Sequence, residues 1–237
     1  MELDTILAAL EENSTQEFPR EAVRQAISRK EEITPLLLTA LEDAKTHLKE
    51  IAQKPSYSLH IYAIFLLAQF KDTRAYPLIV DLFSVPGDIV EDIAGDIITE
   101  DLGRILASVY DGDLAPIKRL IEGPDVYESV RVAGFSAIET LVAQNVLPRE
   151  SALDYFKHLL STQQKEGEYY FLSMLVISCI DLCPDEELLT IIRSAFEKDL
   201  IDEMLVVIEE VEEALETDPE EALAKLREQR HYRFVED

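Results

Sequence analysis

The sequence predicts an all-α protein, and three observations carry that prediction. Only 7 glycines and 10 prolines punctuate 237 residues, too few for a strand-and-turn protein, while Leu, Ala, Glu and Ile dominate. Runs with apolar residues at helical spacing follow one another, joined by short connections. The more apolar runs also repeat: Leu67-Ala68, Leu106-Ala107, Leu141-Val142 and Ile177-Ser178, each a large aliphatic before a small residue, stand 39, 35 and 36 residues apart.

The elements follow in order. Residues 1–32 read as an N-terminal helical cap, 33–216 as stacked helix pairs and 217–237 as a C-terminal helix with a tail. Thr34-Pro35 reads as an N-cap with proline at the first helical position, Ile33 and Leu38 forming a hydrophobic staple, and it opens a run to about Gln53 that Pro55 ends. Leu59 to Phe70 is apolar almost all round, the mark of a helix packed on more than one side. Asp72-Thr73 starts Arg74 to Phe83, Pro86-Gly87 breaks it, and Thr99 caps Glu100 to Tyr110. Helices are then expected at 114–121, 126–144, 148–162, 169–182, 185–198, 203–216 and 219–229. Pro77 and Pro116, 39 apart, are expected to bend the outer helix of successive pairs.

A helix pair cannot hide its apolar stripe alone, so stacked pairs share a continuous core and build a right-handed α-solenoid; the alternative is a compact helical bundle. Leu67, Leu106, Leu141 and Ile177 are expected to be buried equivalents. The stretch Pro116-Ile117, Asp125, Val130-Arg131, Ala133, Ala137-Ile138 and Leu141 resembles a HEAT repeat. That resemblance implies that Arg131 pairs with a turn aspartate, for which Asp125 is the candidate.

A second resemblance covers nearly the whole chain. Phe18-Pro19-Arg20-Glu21-Ala22, Glu32-Ile33-Thr34-Pro35-Leu36, His60-Ile61-Tyr62-Ala63 with Leu67-Ala68-Gln69-Phe70, and Gly95 to Leu102 with Arg104 to Ser108 are similar to a bacterial family, domain of unknown function 1186. The family label implies no activity. Some of its members carry a cysteine-rich C-terminal segment suited to a metal; Phe234-Val235-Glu236-Asp237 matches no such segment, so the resemblance implies no metal here.

Charge and motifs narrow the function. With 22 Lys and Arg against 48 Asp and Glu, the net charge is −26, which disfavours nucleic acid and favours a basic partner. Met1-Glu2-Leu3-Asp4 is acidic where a secretory signal is positive, and no apolar window is long enough to span a membrane, so the expected location is the cytoplasm, away from membranes. Cys179 and Cys183 read as core thiols, and His47, His60, His158 and His231 are scattered singly, so neither a metal nor another cofactor is expected. The sequence contains no Walker loop, dinucleotide fingerprint, zincin motif, nucleophile elbow or C-x-x-C.

The expected function is therefore a non-enzymatic scaffold that binds a protein or peptide carrying basic residues. The alternative is a carboxylate-dependent enzyme, or a metal- or small-ligand-binding protein, on the same scaffold. The expected partner-facing surface comprises His60 and Gln69, polar on an otherwise apolar helix, with Asp96, Glu100, Asp101 and Arg104 from the acid-rich break at 87–113. Two plainer uses stay open: His60 capping the packing near Pro55, and the acids forming a solvated face or a helix start. In the partner-facing reading, Arg104 offers a two-point fork to a carboxylate.

Overall fold

Apolar residues at helical spacing run through both halves of the chain, and in a computed structural model, which describes residues 1–12, 17–163 and 167–236, they wind into sixteen α-helices and one 3-10 turn among those residues. Extended backbone among them pairs only as isolated bridges, Glu12 with Tyr57 and Val126 with Pro86 and Gly87. The all-α class holds. Two units emerge, one of Met1–Val130 with Phe234–Asp237 and one of Arg131–Arg233.

The first unit begins with α1 (Leu3–Glu11), α2 (Arg20–Ser28), α3 (Lys30–Thr46), α4 (Leu48–Ala52) and α5 (Leu59–Gln69). It continues with α6 (Ala75–Phe83), α7 (Ile89–Ala94), α8 (Ile97–Glu100), α9 (Leu102–Ser108) and α10 (Ala115–Glu122). Helix α3 packs on α5 and α6, α5 on α1 and α9, α6 on α10, and α4 on α7. Leu37, Leu41, Ile64, Leu67, Ile79, Phe83 and Leu106 are sealed at these seams. Each such side chain contributes about 1.5–3 kcal/mol by leaving water.

Helix α11 (Glu128–Ala143) runs across the boundary of the units, and the second unit adds α12 (Arg149–Thr162), α13 (Tyr169–Asp181), α14 (Glu186–Glu197), α15 (Ile208–Leu215), α16 (Pro219–Glu228) and the turn Arg230–Tyr232. Here α12 packs on α13 and α14, and α13 on α15 and α16. Its centre is aromatic: Phe135 meets Phe156 at 5.7 Å and Phe171 at 5.0 Å between ring centroids. Asp185 caps α14 by accepting from the Leu188 amide, and Asp218 caps α16 by accepting from Glu221 ahead of Pro219.

Several boundaries depart from expectation. Helix α3 starts at Lys30, so Thr34 and Pro35 lie inside it rather than at its cap; Thr34 donates its hydroxyl to the Lys30 carbonyl, and Pro35 sits on the exposed side, where the carbonyl left without a donor can meet water. The run expected to reach Gln53 breaks at His47 into α3 and α4. Thr99 lies inside α8, and Asp101 stands at the head of α9. Pro77 and Pro116 fall within the first turns of α6 and α10, where the helix has no carbonyl for their missing N–H, so they open helices rather than bend them. Leu67, Leu106 and Leu141 are fully buried, but Ile177 is only half-buried, and Val176 takes the sealed position.

Candidate functional site

The first unit holds a groove of about 960 Å³. Its geometry follows from the faces of two helices. Ala22 and Ala26 bury one side of α2, which turns Arg20, Val23, Arg24 and Ile27, at i, i+3, i+4 and i+7, toward the groove. Helix α5 buries Ala63, Ile64 and Leu67 in the core, leaving Ile61, Tyr62, Phe65 and Gln69 on the groove side. Pro55 and Tyr57 precede α5, Asp92 and Ile93 come from α7, and Val235 and Glu236 close the lining. Phe18, 56% exposed, lies at the rim, 6.2 Å from Tyr62 and beneath the Arg20 guanidinium at 5.6 Å.

His60 stands where α5 begins. Ser58 fixes this entry by donating its amide to the Glu11 carbonyl and its hydroxyl to that of Leu10. The imidazole stacks on Tyr57 with centroids 5.6 Å apart, and its Nε2 lies 2.8 Å from the Ile93 carbonyl. A carbonyl only accepts, so Nε2 carries the proton and Nδ1 is left with a bare lone pair; it is buried and has no partner. Burial holds this histidine below its ordinary value, against the opposing pull of the Ile93 bond, so it is neutral at neutral pH. Burial also raises the Tyr57 and Tyr62 phenols, keeping both as O–H groups.

The six residues singled out from the sequence are therefore divided. His60 and Gln69 line the groove. Asp96, at the head of α8, and Glu100, its last residue, are exposed. Asp101 and Arg104 turn inward and pair at 3.2 Å, their side chains 12% and 8% exposed. The second arm of the Arg104 fork donates to the Phe234 carbonyl at 2.9 Å, and the Val235 amide donates to the Ser108 hydroxyl at 2.8 Å. Lys71 sits over the Phe234 ring at 4.9 Å, so the end of the chain is docked on the first unit. Of the other acids near the break, Asp111 and Asp113 accept from amides two residues on. Among the described residues no group of three or more His, Cys, Asp or Glu is placed to hold a metal ion.

Three features of the second unit bear on the sequence reading. Arg131 meets Glu168 at 3.0 Å and lies 3.9 Å over the Phe171 ring, where the HEAT resemblance had pointed to Asp125. Cys179 and Cys183 are buried free thiols, both raised by desolvation and so poor nucleophiles. Glu139, which the sequence reading passed over, is buried beside Asp181, and Asp181 accepts from the Tyr232 hydroxyl at 2.9 Å. Its signal was available: Glu139 is a lone acid inside the apolar run Ala137 to Ala143.

No solved structure matches the chain. An uncharacterised protein of Chlamydia trachomatis serovar D is 45% identical over 195 residues, which is 82% of this chain and 77% of the relative. One from Chlamydia muridarum is 44% identical over 195 residues, 82% of this chain and 78% of its own length. The model of one family matches residues 1–237 throughout, and the chain belongs to that family, described as Protein of unknown function (DUF1186).

Proposed function

We propose that the chain acts by binding a protein or peptide rather than by catalysis, and that the groove between α2 and α5 receives the partner's apolar side chains. The groove itself carries this reading: its volume of about 960 Å³, walled by Val23, Ile27, Ile61 and Phe65 with Phe18 at the rim, offers an apolar surface that the fold leaves open. A preference for basic flanking residues is supported by Asp92 and Glu236 in the lining, by exposed Glu91, Asp96 and Glu100 nearby in the chain, and by the net charge of −26. The lining also holds Arg20, Arg24 and Lys54, but Arg24 pairs with Glu21 and Arg20 lies over Phe18.

We read the scaffold as HEAT-like helix pairs stacked within each unit, working in the cytoplasm. The packing of α3 on α5, α12 on α14 and α13 on α15 supports the stacking, because in such repeats a helix meets the second one along. Among the described residues no helix is long and apolar enough to cross a membrane.

The test is fluorescence anisotropy with two labelled amphipathic peptides of equal length, one Leu/Lys and one Leu/Glu. The Leu/Lys peptide is expected to bind, with affinity falling as salt rises, and Ile27→Ser with Phe65→Ser is expected to weaken its binding at the groove by about tenfold. Equal binding of both peptides, or indifference to the double substitution, overturns the proposal. One observation favours a second reading, a small apolar ligand bearing a hydrogen-bond donor: the unpartnered Nδ1 of His60. In that case an environment-sensitive dye is displaced by apolar alcohols, and His60→Phe abolishes their advantage over the matching alkanes.

A further inference from the structure

Folding leaves a second apolar surface open, in the second unit. Between α14 and α15 the chain makes a turn whose two ends are buried, Ile201 4% and Val206 2% exposed, while Met204 between them is 94% exposed and Leu205 42%. Local bonds set its shape. The Asp202 carboxylate accepts from the Met204 amide at 2.9 Å, and the Asp202 carbonyl accepts from Leu205 at 2.9 Å and Val206 at 3.3 Å. The Asp202 amide in turn donates to Ser173 on α13 at 2.9 Å, tying the turn to the body of the unit. Met204 takes part in this frame only through its backbone, so the fold has no use for an apolar side chain there. A hollow of about 340 Å³ adjoins it, lined by Ile201 and by Tyr169, itself 42% exposed.

The charge around the turn decides what covers it. From Asp199 to Glu210 there are five acids, Asp199, Asp202, Glu203, Glu209 and Glu210, all exposed, and no cation. Such a frame repels anionic lipid headgroups and a second copy of a chain with net charge −26 alike. It suits a segment that combines an apolar stripe with Lys and Arg. We propose that the turn Asp202–Val207 is a docking knob, on which Met204, Leu205 and Tyr169 seat the apolar face of a basic amphipathic segment of a partner protein. Methionine suits the role, since its unbranched chain adapts to the contour of the partner.

This surface is separate from the groove, and titration calorimetry with the Leu/Lys peptide separates the two. The intact chain is expected to bind two equivalents, and Met204→Ser with Leu205→Ser to bind one, the knob's affinity falling at least about tenfold. Serine leaves all five acids in place, so the loss reports the apolar contact rather than the charge. Both side chains are exposed, so the melting temperature is expected to stay within about 2 °C; Tyr169→Ser supplies a second, independent variant. Two equivalents retained by both variants overturn the knob, as does binding to phosphatidylglycerol vesicles, or a dimer, that is lost on Met204→Ser. A single equivalent abolished only by Ile27→Ser with Phe65→Ser also overturns the knob and leaves the groove standing. One abolished only by the knob variants sustains the knob and removes the groove.

Discussion

Glu139 gives the most demanding test of the second unit's electrostatics. Its side chain is buried, and Oε1 has no hydrogen-bond partner. Burial pushes its carboxyl from 4.5 up to about 8; the charge of Asp181 adds to the rise and a Ser178 hydrogen bond opposes it. The folded chain therefore keeps a proton that the unfolded chain releases near 4.5, so Glu139 makes stability fall as pH climbs from 4.5 to about 8. At about 1.4 kcal/mol per pH unit, a window of this kind is worth on the order of a few kcal/mol. Glu139→Gln keeps the shape and does not titrate. Urea unfolding at pH 5, 6, 7 and 8 should show the variant close to wild type at pH 5 and progressively more stable above it. His60, held below its usual 6.5, has the opposite sign: stability rises as pH climbs toward 6.5. Being common to both proteins, that effect drops out of the difference. Parallel stability curves for the two proteins would refute the assignment of the retained proton to Glu139.

Two further outcomes concern packing and backbone. Thermal or urea unfolding should show Leu67→Ala, Leu106→Ala and Leu141→Ala each costing about 2–5 kcal/mol, through lost transfer energy and a residual cavity, while Ile177→Ala costs less than any of the three because that side chain is partly exposed and leaves less of a cavity. Gly95 ends α7 with φ +52° and ψ −133°, and an added Cβ would meet nothing within 4 Å, so Gly95→Ala tests conformation without a clash. Unfolding should report a loss of about 1–3 kcal/mol.

The legibility of the sequence varies with the origin of each signal. Helix α5 could be read directly because its residues are apolar all round, and the same background made His60 and Gln69 visible as groove residues. Helix α7 escaped notice because Ile89–Ala94 sits among acids and is held by packing on α4, a contact no local pattern announces. The α2 wall was missed for a related reason. Val23 and Ile27 look like ordinary surface until Ala22 and Ala26 are known to be the buried side, and two apolar residues off that side were the usable hint. At 203–207 the run Glu-Met-Leu-Val-Val reads as the start of a helix, but the Asp202 side chain captures the Met204 amide and makes a turn, so α15 begins only at Ile208.

Arg104 shows why a residue's type does not reveal the direction in which it acts. A lone arginine among acids suggests a fork offered to a partner, yet its side chain is 8% exposed, with one arm on Asp101 and the other on the Phe234 carbonyl. It is thereby a tie between α9 and the end of the chain, and because Val235 and Glu236 line the groove, the tie also shapes that wall. Removing one partner of so buried a pair costs about 3–5 kcal/mol. Arg104→Met should therefore destabilise the first unit by that amount, and Arg104→Lys should recover only part of it, since an ammonium cannot bridge both acceptors as a planar fork does. The site-specific readout is amide exchange at Val235, whose N–H donates to Ser108. Exchange at that amide is expected to quicken in Arg104→Met, with the Leu/Lys peptide weakened alongside. A Val235 amide as protected in the variant as in the wild type would show that the chain end is held without Arg104.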